Sequence, residues 1–419
     1  MTSEPQLLLI DPVGATRTEP LRPAPDFTRP ESPLASRVAY AAAHVIPKAW
    51  AENVPGAPAE LDWDATLAYR HHLWSWGLGV ADAMDTAQRN MGLDAVATRE
   101  LITRSAAEAR SVGGALVVGV NTDHVDDEVI SLDRVIDAYT EQLHFAEDAG
   151  AGVVLMASRH LARAARSPED YERVYRTVLA AASLPVVLHW LGPAFDAVLD
   201  GYFGSRDVSA ASDTVIRIIE ENADWVSGIK MSLLDADAEI ALRSRLPETA
   251  TMFTGDDFNY VGLIAGSVLA PRAAPAADEA PAATAPQAGT APQAGSGARA
   301  YSNALLGAFA AVAPNASAAI HALDRGDAET YFRILGPTEA LSRQIFATPT
   351  QFYKTGVAFL SWLGGHQRSF TMVGGLHAAR SLPHLSEIVR LANDSGALER
   401  PELARERWNS LLSQNGITA

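Results

Sequence analysis

The chain has 419 residues, 48% of them hydrophobic and 20% charged, enough for one large domain or two ordinary ones. Its net charge of -17 argues against a nucleic-acid or anionic-membrane partner. The absence of cysteine removes disulfides, a thiolate nucleophile, cysteine-ligated zinc and iron–sulfur clusters.

Residues 1–35 are rich in proline and polar residues and read as an N-terminal arm. Their opening, MTSEPQLLLIDPVG, lacks a basic n-region and carries a short apolar run, so it does not read as a signal peptide. No stretch approaches the roughly 18 uninterrupted apolar residues of a spanning helix, and the expected location is the cytoplasm. Eight short runs rich in Val, Ile and Ala follow, at 37–46, 79–85, 115–120, 152–157, 185–190, 226–232, 251–255 and 303–310. Amphipathic stretches separate them. LDWDATLAYRHHLWSWG opens on an acidic turn and closes at Gly77, a helix stop. Residues 131–150 start at Ser131, a helix N-cap, and Pro168 suits the first turn of the next helix.

Eight buried strands, each followed by a helix, predict an α/β fold, a (β/α)8 TIM barrel over residues 36–313. No G-x-G-x-x-G follows the first run, which weighs against a doubly wound open sheet. Residues 271–299 repeat the hexamer TAPQAG at 284 and 290; such Ala/Pro/Gly composition reads as a low-complexity insertion, with an interdomain linker as its rival. Residues 314–419 predict a C-terminal helical extension, more helix than one barrel needs.

Only three lysines occur, Lys48, Lys230 and Lys354. Lys230 sits inside the apolar run WVSGIKMSLL. A buried ammonium costs several kcal/mol and escapes by a lowered pKa; the neutral amine is then a nucleophile toward carbonyls. Barrel enzymes carry their catalytic groups at the C-terminal strand ends. Those ends offer Asp85 and Thr86, then Asn121, Asp123 and His124, then Ser158, Arg159 and His160, then His189, Lys230, and finally Gly255, Asp256 and Asp257. A strand-end lysine among apolar neighbours fits an imine-forming enzyme, in which the imine serves as electron sink for a C–C bond. Lys48 is expected in a loop, Lys354 in a structural role, and the His71–His72 pair at a surface or interface.

GIKMS, a helix, and then FTGDDFNYVGLIAG together resemble the dihydrodipicolinate synthase / N-acetylneuraminate lyase superfamily. NALLGAFAAVAP resembles its last strand, GAGVVLM and LPVVLHW its fourth and fifth strands, and ATPTQFYKTGVAFL its C-terminal helix start with Lys354 at the lysine position. The likeness spans residues 37–395, interrupted by the insertion. It implies a (β/α)8 barrel with C-terminal helices, a homodimer or homotetramer, a small keto substrate, and class I aldolase chemistry through Lys230 with no metal or cofactor.

Two departures bear on the substrate. The family's Gly-Thr-Thr-Gly-Glu stretch, which holds a keto-acid carboxylate, is here MDTAQ, so only Thr86 is retained and Asp85 would repel a carboxylate. Arg89 or Arg159 could compensate. The tyrosine ending the family's fourth strand is missing; His160 or Arg159 takes that place, and His189 stands where the fifth strand usually has tyrosine. His160 and His189 are therefore the expected proton-transfer groups beside Lys230. Asp85, Thr86, Arg159, Gly255 and Asp256 are the expected substrate-binding or packing groups, with Asp256 also suited to anchoring a loop. A sugar-derived keto acid or keto sugar fits better than pyruvate. The rivals are a metal-dependent barrel isomerase or hydrolase, drawing on Asp85, Asp123, His124, His160, His189 and Asp256, and a non-catalytic barrel that binds a keto metabolite.

Overall fold

The alternation of apolar runs with amphipathic stretches closes into a ring. In a computed structural model, which describes residues 5–266 and 300–418, eight parallel strands form a closed barrel. A hairpin of β1 (Gln6–Ile10) and β2 (Thr16–Pro20) precedes it. The barrel strands are β3 (Ala39–Ala42), β4 (Gly79–Asp82), β5 (Leu116–Val120), β6 (Gly152–Leu155), β7 (Val186–Leu191), β8 (Val226–Ser232), β9 (Thr251–Thr254) and β10 (Asn303–Leu306), with β10 pairing back onto β3. The insertion expected at 271–299 lies outside the described residues.

The helices in chain order are α1 (Trp63–Ser75), α2 (Ala95–Val112), α3 (Leu132–Asp148), α4 (Arg159–Ala164), α5 (Pro168–Leu179), α6 (Val208–Glu221), α7 (Ala236–Arg245) and α8 (Tyr260–Ala265). After β10 come α9 (Ala308–Ala311), α10 (Ala313–Asp324), α11 (Ala328–Leu335), α12 (Thr338–Ile345), α13 (Tyr353–Leu363), α14 (Leu382–Ser395) and α15 (Pro401–Gln414). Short polar side chains start several of them. Asp62 caps α1, Asp94 caps α2 and Ser131 caps α3, each accepting a backbone N–H of the first turn. Gly77, at φ +74, follows α1 and turns the chain into β4. None of the described helices is long and apolar enough to cross a membrane.

Two runs are shorter as strands than their hydrophobicity suggests. Beyond Ala42 the chain leaves the ladder, and the Ile46 amide and carbonyl bond to the Thr66 hydroxyl and the Asp62 amide at the start of α1. Beyond Leu306 it turns at Gly307 into α9. Apolar side chains continue in both places because these segments stay buried, not because they stay extended.

The barrel interior holds one apolar cluster of Tyr40, Ala42, Ala81, Met84, Val117, Val154, Met156, Val187, Phe253 and Leu305. The first 35 residues are more structured than their composition suggests. Leu7 and Leu9 of β1 are fully buried. Trp408 of α15 donates its indole N–H to the Leu8 carbonyl (2.7 Å), and the Ile10 amide donates to Ser386 of α14 (2.9 Å). The arm thus includes a hairpin clasped to the last two helices.

Candidate active site

Parallel pairing sets Lys230 on β8 level with His189 on β7 and Phe253 on β9. Lys230 is 8% exposed. Burial lowers its amine below the ordinary lysine range, while Asp85 and Asp257 pull the other way. Gly255 is the condition for this placement. A methyl group on it would lie 2.7 Å from Lys230 Cε and collide with the Ser232 hydroxyl. The glycine lets the lysine stem lie against the backbone of β9's exit.

Asp256 and Asp257 divide the work at that exit. Asp256 accepts from the Phe258 and Asn259 amides and from the Asn259 side chain (2.8–3.1 Å), so it fixes the loop. Asp257 accepts from the Ala308 amide at 2.8 Å. Burial pushes its carboxyl up to about 7, against the pull of the Ala308 amide and Lys230. Of the two, Asp257 is the one whose charge acts on Lys230.

His189 is fully buried. Its Nε2 lies 3.2 Å from the Ser232 hydroxyl and its Nδ1 has no partner. Burial, then Lys230, lowers its pKa well below the usual histidine range, so the ring is neutral. His160 sits elsewhere, in the first turn of α4. Its Nδ1 meets the Thr122 hydroxyl (2.7 Å) and its Nε2 the Asp127 carbonyl (2.9 Å). With both nitrogens bonded to neighbouring loops, His160 ties the exits of β5 and β6 together and has no ring nitrogen left for a substrate. Arg159, beside it, is ion-paired with Asp196.

The second strand's exit is bent hard. Ala83, Gln88 and Asn90 all take positive φ (48°, 68° and 60°), a conformation unfavourable for residues with a Cβ. This turn presents Asp85 and Thr86. The Thr86 hydroxyl lies 2.7 Å from the phenol of Tyr353, the first residue of α13. Gly307 makes room at the same spot, since a Cβ there would meet Phe346, Tyr353 and Thr86 at 3.0–3.5 Å. Tyr353 stacks on Phe346 (centroids 4.3 Å, 11°) and meets Phe195 edge-on. Burial raises its phenol well above the usual range, and Asp85 and Asp257 act in the same direction. Lys230 and Tyr353 therefore share the same two carboxylate neighbours.

Lys354 follows and is also buried, its amine donating to the Gln351 carbonyl at 3.2 Å. Burial pulls it down to about 8; Asp85 raises it, Arg159 lowers it and Asp196 raises it. It thus belongs to the same charge network as Asp85. Lys48 is exposed and paired with Glu60.

Arg89 is not free to meet a substrate. It is buried against Asp123 (Nε–Oδ2 2.8 Å) and donates to the Gly119 carbonyl (2.6 Å). His124 is engaged by Gln142 and Glu141. Among the described residues, no three of Asp85, Asp123, His124, His160, His189 and Asp256 bring ligand atoms together as a metal site requires.

Tyr353 escapes motif reading; from the sequence alone Lys354 reads as structural, and Asp257 as a strand-end group without a role. Tyr353 and Lys354 lie in ATPTQFYKTGVAFL, far along the chain from the strand ends, and only the packing of α13 against α9 brings them to the barrel mouth.

A family model described as "Protein of unknown function (DUF993)" matches residues 7–417. The chain belongs to that family. No curated protein matches it. DUF993 here shares its fold with solved dihydrodipicolinate synthase-family structures. The 4-hydroxy-tetrahydrodipicolinate synthase of Methylacidiphilum fumariolicum SolV aligns at TM-score 0.59 and 16% identity, covering 88% of this chain and 99% of that one. A prophage protein of the dihydrodipicolinic acid synthase family from E. coli K12, solved with pyruvate, aligns at 0.56 and 15%, covering 91% and 99%. The dihydrodipicolinate synthase of Aquifex aeolicus aligns at 0.57 and 12%, covering 91% and 98%. The likeness establishes the fold, a barrel with C-terminal helices, which is the fold that the resemblance carried by GIKMS and FTGDD implied.

Proposed function

We propose that this DUF993 protein is a Schiff-base-forming lyase or aldolase that acts on a hydroxylated keto compound through Lys230. The observation that carries the reading is the buried Lys230 amine at the barrel mouth, lowered by burial against the opposing charges of Asp85 and Asp257.

The neutral amine adds to the substrate carbonyl, giving a carbinolamine. Loss of water gives an iminium. A base takes the proton of the hydroxyl on the β carbon; the bond between the α and β carbons breaks, the β carbon leaves as an aldehyde, and the electron pair of the broken bond moves toward the iminium to form an enamine. Protonation at carbon and hydrolysis return the ketone and the free amine. The reverse sequence forms the bond; alternatively, loss of an α proton from the intact iminium gives an enamine that expels the β-hydroxyl as water, a dehydration. Asp257, with its carboxyl raised to about 7, is suited to exchanging protons near neutrality. The hydrogen-bonded pair of Tyr353 and Thr86 supplies the second proton path. Neutral His189 orients Ser232 beside the amine. His160 and Arg159 support the mouth through their loop contacts.

Asp85 disfavours a carboxylate directly beside it, which argues against pyruvate itself even though the E. coli relative was solved with pyruvate. Its oxygens suit substrate hydroxyls, and Lys354 nearby can meet a more distant carboxylate. A keto sugar or sugar-derived keto acid fits both. No metal or organic cofactor takes part in these steps. Assembly as a homodimer or homotetramer, proposed from the same resemblance, is tested by sedimentation.

The test is a panel of keto acids and keto sugars, each incubated with the protein and borohydride, followed by intact mass. A mass gain equal to the reduced ligand supports imine chemistry and names the substrate class. No gain with any compound, from folded protein, overturns the reading in favour of a binding barrel.

A further inference from the structure

A second cluster lies away from the mouth. His72 is in the last turn of α1, His366 follows the Gly364–Gly365 turn after α13, and Glu399 lies between α14 and α15. His72 Nε2 is 3.3 Å from Glu399 Oε1, and His366 Nε2 is 3.1 Å from the same oxygen. The two imidazole rings stand 4.1 Å apart. Their side chains are 10%, 14% and 27% exposed for His72, His366 and Glu399.

Three features point to a ligand between them. The first is spacing. Bonds of about 2.0–2.1 Å to a tetrahedral zinc put neighbouring ligand atoms about 3.3 Å apart. Both nitrogen–oxygen separations match that edge, and all three ligand atoms lie within 4.8 Å of one another. The second is an orphan. A cavity of about 10 Å³ adjoins the cluster on its His366 and Glu399 side, bounded also by Tyr69 and Ser361 but not by His72. The Ser361 hydroxyl there is buried, its residue 3% exposed, and has no partner. That volume is near the minimum for one water, or one ion. The third is clearance. A Cβ on Gly364 would come within 3.1–3.2 Å of the His366 ring, so glycine leaves the ring its position.

Tyr69 stacks on His72 and meets His366 edge-on, which limits ring rotation.

We propose that His72, His366 and Glu399 form a site for a divalent first-row metal ion, zinc by donor type, with the fourth position open to water. Two imidazoles and one carboxylate are a zinc donor set. The site lies at the foot of the barrel. His72 and His366 also line a cleft of about 820 Å³ with Gly77, Gly79, Gly114 and Ala115, at the N-terminal ends of β4 and β5. The ion would tie α1 to the loops on either side of the C-terminal helices, and its role is separate from the amine at the mouth.

The test uses the full chain, stripped with chelator, loaded with zinc chloride, dialysed and read by elemental analysis and thermal unfolding. We expect one zinc ion per chain and a raised Tm in the wild type and in His71→Ala, whose histidine pairs with Glu108 instead. We expect both effects to be lost in His72→Ala and His366→Ala. Cobalt chloride added to the stripped wild type needs no variant and should give the visible absorption of a four-coordinate ion. Zinc retained by both histidine variants, or a wild type that takes up neither zinc nor cobalt, overturns the site and leaves a hydrogen-bonded histidine–glutamate clasp.

Discussion

The foot and the mouth of this barrel use the same strands for opposite ends. Val154 and Val187 belong to the apolar cluster of the barrel interior. Further along the strands and at their exits, His189, Lys230 and Asp257 are also buried, but carry titratable groups. Apolar side chains there would pack at no electrostatic cost, whereas a buried charge is expensive. The mouth also holds its exit loop in positive φ at Ala83 and needs Gly255 to pass a lysine stem. Burial that stabilises the foot is, at the mouth, what depresses an amine and raises an acid.

The sharpest way to break the comparison is to remove the amine. Lys230→Ala should lower turnover by a factor on the order of 10⁴ or more, measured on the trapped substrate class, while the protein stays folded and equally or more stable. Tyr353→Phe keeps the ring stacked on Phe346 and deletes only the hydroxyl that meets Thr86. It should cost about 10²–10³ in kcat with little change in KM. Gly255→Ala displaces the lysine stem without touching its chemistry, and should slow borohydride trapping by roughly 10². At the foot, Val154→Ala should cost about 2 kcal/mol in denaturant unfolding and leave kcat unchanged per folded molecule.

Lys354 tests the electrostatic side through pH. Its folded pKa of about 8 lies below the free-lysine value of about 10.4. Between those values the unfolded chain binds more protons, so this residue makes stability rise with pH. Its destabilising effect is full below about 8 and gone above about 10.4. Lys354→Met should therefore be more stable than the wild type at pH 7, by about 3 kcal/mol, with the gap closing across that window. An unchanging gap would show that Lys354 is not held as a buried amine.

The barrel was legible because its strands are short, doubly buried and separated by capped helices, a pattern carried by local residues such as Ser131 and Pro168. Lys230 was legible for the same reason, as a charge inside an apolar run. The groups proposed above for proton transfer were not. Tyr353 reaches Thr86 from the C-terminal helices, and no local period encodes that contact. Of the neighbouring Asp256 and Asp257, one fixes a loop and the other accepts from the Ala308 amide and acts by its charge on Lys230, a difference the sequence does not encode locally. His160 has the right position along the chain but spends both nitrogens on loops. The β1–β2 hairpin was hidden by proline-rich surroundings, although QLLLI supplies its buried face.

The central claim is that Lys230, of three lysines, is the amine that meets substrate. Peptide mapping of the borohydride-reduced adduct tests it most directly, with wild type, Lys230→Ala and Lys354→Met side by side. The account predicts the label on Lys230 in the wild type and in Lys354→Met, and none in Lys230→Ala. A label on Lys354 or Lys48, or one that survives in Lys230→Ala, would contradict it.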